Sequence, residues 1–563
     1  MILILLSWIY ILFTTINLGF LLDKILQLKV KNFSVISILG LFSTTIIASI
    51  WAIFGRINFE FHLAIFVLNF AIMTFSTSEI LSIYRSFFYE IKNLEKSLKF
   101  FLGLITIFII AQCASIPYAI DNESYYIQTI KWLNEFGFVK GLANIHFFLG
   151  QTSGWHVAQS AFNFSFLYDK FNDLSGFCLL LGNFFAIQKL NDYFKNQKKT
   201  DLIIGLFPLA NVFLFQFISA PSPDVPIYVF TFIIFSYFLE NYRKMNGETF
   251  NLTTLLILFC LYIKTTAIGL CILTLIILFH NYKEIKIYKT AFLSLLILAL
   301  FVIKNSIITG YPLFPITKNF GFVSDYQLPE KIAVLYYSLT KYFAYSLTEN
   351  QFNQMSFWEV FLHWITMPKL HGLFNKMSIL LVVLSPIIIY KFFHQKRFWI
   401  LYFIMSVQLL LLFLSSPQYR FFMNFILFFS FLWMAILTYK KKHILILLGL
   451  STFATAFVLF IPMNLKSVAR NEHATSTSNF SLKNSVFPFQ NSKYQSAFET
   501  IENENFDYNS PINIDFFWAT SDGEIPCVNK KQIEYFDQKY NVKPQMRSDD
   551  LRDGFYAKDT SKE

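Results

Sequence analysis

Charge is scarce in this chain. Asp, Glu, Lys and Arg make up 14% of its 563 residues, where a soluble protein carries roughly 25%. That excludes an ordinary water-soluble enzyme. Cysteine is also scarce. Cys113, Cys178, Cys260, Cys271 and Cys527 show no CxxC spacing, and the first four lie in or beside apolar runs. Neither a zinc site nor a disulfide framework is suggested. The opening run, "MILILLSWIYILFTTINLGFLL", has no basic leader and no small-residue cleavage site. It reads as a retained helix rather than a removed signal. No solenoid repeat is evident.

What the chain has instead is apolar length. It is 55% hydrophobic with a mean hydropathy of +0.49. Runs of about 17 to 25 apolar residues, each able to cross a bilayer, recur from the first residue to about 463. The fold class expected is an all-α polytopic membrane protein. The net charge of +11 does not point to nucleic acid, because the basic residues sit in short clusters between apolar runs. Those clusters are Lys24 to Lys31, Arg85 to Lys99, Lys189 to Lys199, Arg243/Lys244, Lys283 to Lys289, Lys391 to Arg397, and Lys440 to Lys442. Positive loops stay cytoplasmic, so neighbouring clusters must enclose an even number of crossings. Between Lys244 and Lys283 this requires a break at "IKTTA", with Lys264 at the turn; a single long helix with a buried lysine is the alternative. The count becomes about 14 helices, with both termini outside. Three parts follow: N-terminal helices and a cytoplasmic loop over 1–99, a transmembrane core over 100–463 with outer loops 120–173 and 309–376, and an extracytoplasmic tail over 464–563. The tail reads as a small loop-rich cap.

The outer face gathers the candidate chemistry. "YAIDNESYYIQTIKWLNEFGF" begins at residue 118 and places Asp121 and Glu123 just beyond an apolar run. Asp121 suits a helix N-cap, and a cap also holds a carboxylate still. Glu123 can pair with Asp121 on a divalent cation or face solvent. Behind them Ile127, Ile130 and Leu133 share one face and Ser124, Gln128, Lys131 and Glu135 the other, as in a helix lying flat on a membrane. Asn144, His146, Gln151, His156 and Gln159 follow. The two histidines, ten apart, do not have metal-ligand spacing, but either can hydrogen-bond a sugar hydroxyl or a phosphate. Asp224, between Pro223 and Pro226, sits in a rigid turn as a helix cap or a catalytic group. Lys264, Lys304 and Arg420 defy the positive-inside bias, which makes function the default hypothesis. Lys304 can also snorkel to headgroups, and Arg420 suits a phosphate bidentately. Tyr125, Tyr126, Trp132, Trp155 and Tyr311 form an aromatic surround. Carboxylates can deprotonate an acceptor hydroxyl and cations can hold a phosphate leaving group.

An acidic residue heading a long outer loop resembles the GT-C glycosyltransferases that use polyprenyl-phosphate sugars. "KNSIITGYPLFP" (Lys304 to Pro315) resembles their basic-Asn then Gly-Asn-Pro-x-x-Pro segment, with Tyr311 in place of the Asn. "LYIKTTAIGL" resembles their broken helix pair. The first outer loop is also similar to that of a bacterial family of uncharacterised polytopic proteins, through Asp121, Tyr125, Gln128, Ile130, Trp132, Gly141, Leu142, Asn144 and His146, with Tyr126 replacing a histidine. The likeness spans about 100 to 460, with the first helices as an addition. It implies a GT-C-like bundle in a bacterial inner membrane, with its active face outside. It implies inverting transfer from a polyprenyl-phosphate sugar to a glycan, lipid or protein acceptor. Asp121 would be the general base, and Lys264 or Arg420 would hold the phosphate. No cofactor is expected, with a divalent metal held open. An O-antigen polymerase or ligase, which relies on outer-loop arginines, and a lipid-glycan transporter or flippase are the alternatives.

Overall fold

A computed structural model describes residues 1–168, 172–242, 245–281, 287–317 and 324–562. The basic residues Arg243, Lys244 and Lys283 lie outside the described residues. The protein is mostly helical. Among the described residues, eight helices are long and apolar enough to cross a membrane, or nine if the pair Phe59–Phe75 and Thr77–Asn93, bent by 92°, is one span. The eight are Ile2–Leu26, Phe33–Phe54, Lys96–Cys113, Lys199–Phe217, Tyr288–Thr309, Lys369–Phe393, Lys396–Ser415 and Lys441–Phe460.

Length and composition alone thus mark fewer helices than the roughly 14 crossings expected from the apolar runs. Several further helices are short, such as Gly247–Ile263 and Met423–Leu437. Leu174–Asn196 is long but carries Asn183, Lys189, Asn191 and Asp192. Such helices are buried by their neighbours, and a helix packed inside protein needs neither full length nor an apolar surface all round.

The break expected at "IKTTA" is present. One helix ends at Ile263, Lys264 is extended, and a 3₁₀ turn Thr265–Leu270 leads into Cys271–Asn281. The described basic loops then meet at one end of the bundle. Lys29 pairs with Glu248, Lys189 with Glu240 and Lys441 with Glu95. Lys289 donates to the Ile25 carbonyl at 2.7 Å, and Arg397 donates to that of Leu239. The opposite end holds residues 114–168, the Asp224 turn, Lys264 and Arg420.

The two N-terminal helices cross at glycines. A Cβ on Gly40 would lie 1.8 Å from the Thr15 carbonyl oxygen, and one on Gly19 would lie 1.9 Å from that of Ile36. Small residues let helix backbones touch in this way, and Thr15 Oγ1 and Ser37 Oγ share a hydrogen bond of 2.8 Å at the same crossing. Phe33–Phe54 is 83% buried over its most apolar stretch, whereas Tyr288–Thr309 and Lys441–Phe460 are 28% buried. The former is central. The latter pair present Phe292, Leu295, Leu450 and Phe453 outward, as lipid-facing helices do.

The tail is folded onto the loop end. Strands β1 (Phe498–Asn503) and β2 (Phe506–Pro511) pair antiparallel, with Phe498 opposite Pro511. Strands β3 (Val542–Met546) and β4 (Phe555–Asp559) do the same, with Val542 opposite Asp559, and the helix Lys530–Tyr540 packs beside β3. Its core is shared with the first outer loop. Phe147 meets Trp518 at 5.0 Å and Phe536 at 5.7 Å between ring centroids, and Trp132 meets Phe555 at 5.8 Å. Gly554 lies so close to Lys140 that a Cβ would sit 1.9 Å from the Lys140 carbonyl oxygen.

The helix crossing generates a stability prediction. Gly40→Val should destabilise the detergent-solubilised protein by roughly 3 kcal/mol or more, read as a lowered thermal midpoint. Gly103→Ala, where an added Cβ meets nothing within 4 Å, should leave the midpoint unchanged. Equal midpoints would refute the backbone contact.

Candidate functional site

Four charged side chains from four separate elements meet at the loop end. Asp121 opens a short π-helical turn, Asn122–Tyr126, that follows the Lys96–Cys113 helix. Asp224 is the first residue of the helix Asp224–Asn241. Lys264 stands at the helix break, and Arg420 lies on a 3₁₀ turn, Tyr419–Phe421, between two helices. Arg420 Nη1 donates to Asp121 Oδ2 at 2.5 Å and lies 4.0 Å from Asp224 Oδ2. Lys264 Nζ pairs with Asp224 Oδ1. The charges therefore alternate along one chain, Lys264, Asp224, Arg420, Asp121. Arg420 is held in place by Gln418 Oε1, which accepts from its Nε at 3.0 Å, and by Tyr228, whose hydroxyl donates to the Arg420 carbonyl at 2.6 Å. Lys264 sits 4.2 Å from the centre of the Phe421 ring.

Asp121 is not an N-cap. It has helical backbone angles and its side chain caps nothing. Arg420 takes the carboxylate instead, with the Tyr126 hydroxyl 3.4 Å away. Burial works to raise its pKa, but the charge and hydrogen bond of Arg420, with Lys264 and Tyr126 adding, hold it below the ordinary aspartate value. Asp121 is thus ionised at neutral pH. Its side chain is 27% exposed, and that exposure is to a cavity.

The cavity has a volume of about 870 Å³. Asp121, Lys264, Lys304, Arg420 and His156 line it, along with Tyr125 and Tyr126. One flank is apolar, formed by Leu261, Ile268, Phe301, Leu339, Leu411 and Leu412. The mouth is walled by tail residues Val468 to Ala474, with Phe516 and Trp518. Sequence reasoning missed this wall. Its one signal was the cluster of polar residues Arg470, Asn471, Glu472 and His473 soon after the last apolar run.

His156 is fully buried. Burial, reinforced by the nearby charge of Lys304, lowers its pKa to about 3, so the ring is neutral at pH 7. Ser153 N–H donates to its Nδ1 at 3.3 Å in a capping box. The proton must then sit on Nε2, which has no hydrogen-bond partner. Lys304 does not snorkel. It is 3% exposed, and its Nζ donates to the Thr152 carbonyl and, at 2.8 Å, to Asn305 Oδ1.

Other sequence candidates lie away from the cavity. Glu123 neither faces solvent nor joins Asp121. It is fully buried and holds the tail: Ser492 Oγ donates to Oε2 at 2.5 Å, Lys493 N–H to Oε1 at 3.0 Å, and Asn122 Nδ2 to Oε1 at 3.2 Å. The Glu123 carbonyl accepts from Thr520 and Ser521 N–H at 2.8 and 3.0 Å. Gln128 Nε2 donates to the Gly523 carbonyl at 2.8 Å, and Lys131 pairs with Asp522 at 3.0 Å. On the polar face of helix Ile127–Glu135, Gln128 and Lys131 are thus taken by the tail, while Glu135 is exposed. Asn144 Nδ2 bridges the carbonyls of Gly141 and Tyr326 at 3.0 and 2.9 Å. His146 Nδ1 accepts from Phe148 N–H at 3.2 Å, and Nε2 lies 3.4 Å from the Trp518 carbonyl. Tyr311 is buried in the packing between the outer loop and the tail. Of the aromatic surround, Trp155 and Trp132 are core residues, and Trp155 Nε1 donates to Ser175 Oγ at 3.0 Å.

Over residues 1–427 the sequence matches the model of a family described as a domain of unknown function, DUF8201. The chain belongs to this family. No curated protein and no solved structure matches it. The DUF8201 region begins at residue 1, so it takes in the N-terminal helices, and it ends shortly after Arg420. All four members of the charge chain fall within it, while the tail that walls the cavity lies beyond it.

Glu123 gives the second prediction. Glu123→Ala removes three hydrogen bonds, from Ser492, Lys493 and Asn122, at about 3 kcal/mol, and should make the tail sensitive to limited proteolysis. Glu123→Gln should keep it protected. Burial raises the Glu123 pKa, and its hydrogen bonds with Ser492, Lys493 and Asn122 offset this only in part. The docked state thus binds its proton more tightly than the released state. Docking is strongest below the ordinary glutamate pKa and weakens as pH rises through the raised value. The Gln variant should lose that pH dependence. A tail equally protected in wild type and Ala variant would refute the clamp.

Proposed function

We propose that this protein is a membrane glycosyltransferase of the GT-C type. It transfers a sugar from a polyprenyl-phosphate donor to a cell-envelope acceptor, with Asp121 as general base. The observation that carries the reading is an aspartate, paired with Arg420, facing a cavity lined in part by apolar side chains and in part by polar and aromatic ones. An isoprenoid chain suits the first and a saccharide the second. In the reaction, Asp121 accepts the proton of an acceptor hydroxyl, and that oxygen bonds to the anomeric carbon. The bond from that carbon to the phosphate oxygen breaks, with its electron pair leaving on the phosphate. An aspartate held below its ordinary pKa is a weak base. Proton transfer therefore comes late, when the hydroxyl has become acidic through bonding to the sugar. Arg420 keeps the carboxylate ionised and oriented.

The cavity end faces the outside of a bacterial cytoplasmic membrane. This is supported by the gathering of basic loops at the opposite end. No cofactor enters the reading.

Asp121→Asn should reduce an envelope glycan product by roughly 100-fold or more while the protein still inserts. An unchanged glycan profile would sink the proposal. Shortened glycan chains in Arg420→Ala alone, with Asp121→Asn normal, would favour a polymerase or ligase. For orientation, Lys483→Cys, at the cavity end, should react with a membrane-impermeant maleimide in intact cells. Lys442→Cys should react only after lysis. The reverse pattern would place the cavity on the cytoplasmic side.

A further inference from the structure

The resemblance would seat the donor's phosphate on Lys264 or Arg420, but both already face carboxylates. Lys264 is paired with Asp224, and Arg420 with Asp121 and, more distantly, Asp224. Lys304 is different. Among the described residues no carboxylate lies within ion-pair distance of it. Its ammonium has three N–H donors, and two go to neutral acceptors, the Thr152 carbonyl and Asn305 Oδ1. A buried cation with neutral partners alone is costly and calls for a counter-charge.

The neighbouring donor is also unused. His156 Nδ1 is occupied by Ser153 N–H, so Nε2 carries the proton, and it has no partner although the residue is fully buried. Both residues line the cavity, with Thr152, Ser153 and Asn305 between them in the same wall. The two groups are near enough for the Lys304 charge to act on the His156 ring. The Tyr126 ring packs against that of His156, 4.7 Å between centroids, and its hydroxyl reaches Asp121. Asp121 and His156 thus flank one tyrosine. Phe301 lies one turn before Lys304 on the same helix and begins the apolar flank.

We infer that Lys304 and His156 form the seat of a phosphate group, with the ammonium as counter-charge and Nε2–H as a directional donor, so that an anionic lipid enters along the apolar flank and stops with its phosphate beside Asp121. This rests on the donor reading above for the lipid, but not for the anion. The charge chain then remains paired while the phosphate binds, and the basic group near the phosphate is not the one that orients Asp121.

The test uses full-length protein in detergent micelles and calorimetric titration with farnesyl phosphate, farnesol and inorganic phosphate. Wild type should bind farnesyl phosphate well above farnesol. Lys304→Met should weaken farnesyl phosphate about 10-fold or more, His156→Phe several-fold, and Lys304→Arg should retain most of it. Exposed Lys331→Met should change nothing. If Lys304→Met fails to fold, the His156→Phe and Lys304→Arg arms still decide. Unchanged binding in the Lys304 and His156 variants, with loss in Arg420→Gln, would overturn the seat and leave the lipid-donor reading standing. Inorganic phosphate bound as tightly as farnesyl phosphate, with the same Lys304 dependence, would uphold the seat and overturn the lipid donor. Wild type binding none of the three would overturn both.

Discussion

The loop end of this bundle depends on a chain of alternating charges. Lys264, Asp224, Arg420 and Asp121 lie in an environment largely closed to water, where a lone charge is strongly disfavoured. They persist because each has an opposite neighbour. Removing one partner of so buried a pair as Lys264 and Asp224 would cost about 3–5 kcal/mol, since it leaves the other uncompensated. The geometry around them follows. A helix must end at Ile263 to free Lys264, another must start at Asp224, and the turn Tyr419–Phe421 must bring Arg420 between the two carboxylates. Each of these local interruptions sits in an otherwise apolar run.

The tail is part of the same construction. It clamps Glu123, two residues from Asp121, through side chain and backbone together, and it places Val468 to Ala474 across the cavity mouth. The π-helical turn that presents Asp121 is therefore fixed from both sides, by Arg420 at the bundle and by Ser492 and Lys493 at the tail. The DUF8201 region contains the charge chain, and residues beyond that region close over it. The scaffold of the site and the surface that meets an incoming molecule at the mouth thus come from different parts of the chain.

Local sequence gave good guidance where the cost of a residue is local. Lys264, Lys304 and Arg420 stand out because a cation near hydrocarbon needs a reason, and all three line the cavity. Asp121 and Asp224 stand out through position beside apolar runs. Glu123, Gln128, Asn144 and His146 carried the same polar signature, yet they bond to residues far along the chain. Amphipathic periodicity shows that Gln128 and Lys131 avoid the apolar core, but it cannot distinguish water from a polar protein surface as the cover. Length and composition alone pick out eight or nine spans among the described residues, because helices that begin or end at the charge chain are short or carry polar residues and rely on protein neighbours for burial.

The sequence by itself determined that this is a helical membrane protein with its basic loops on one side, because positive charge and hydrocarbon length act residue by residue. It also determined which polar residues sat at an unusual cost. Only the tertiary structure decided which of those face one another. The pairing of Asp121 with Arg420 spans 299 positions and that of Glu123 with Ser492 spans 369. A contact at such separation is set by how helices pack and how the tail folds back. It leaves no local pattern, because any acceptor at the right place would satisfy the same donor.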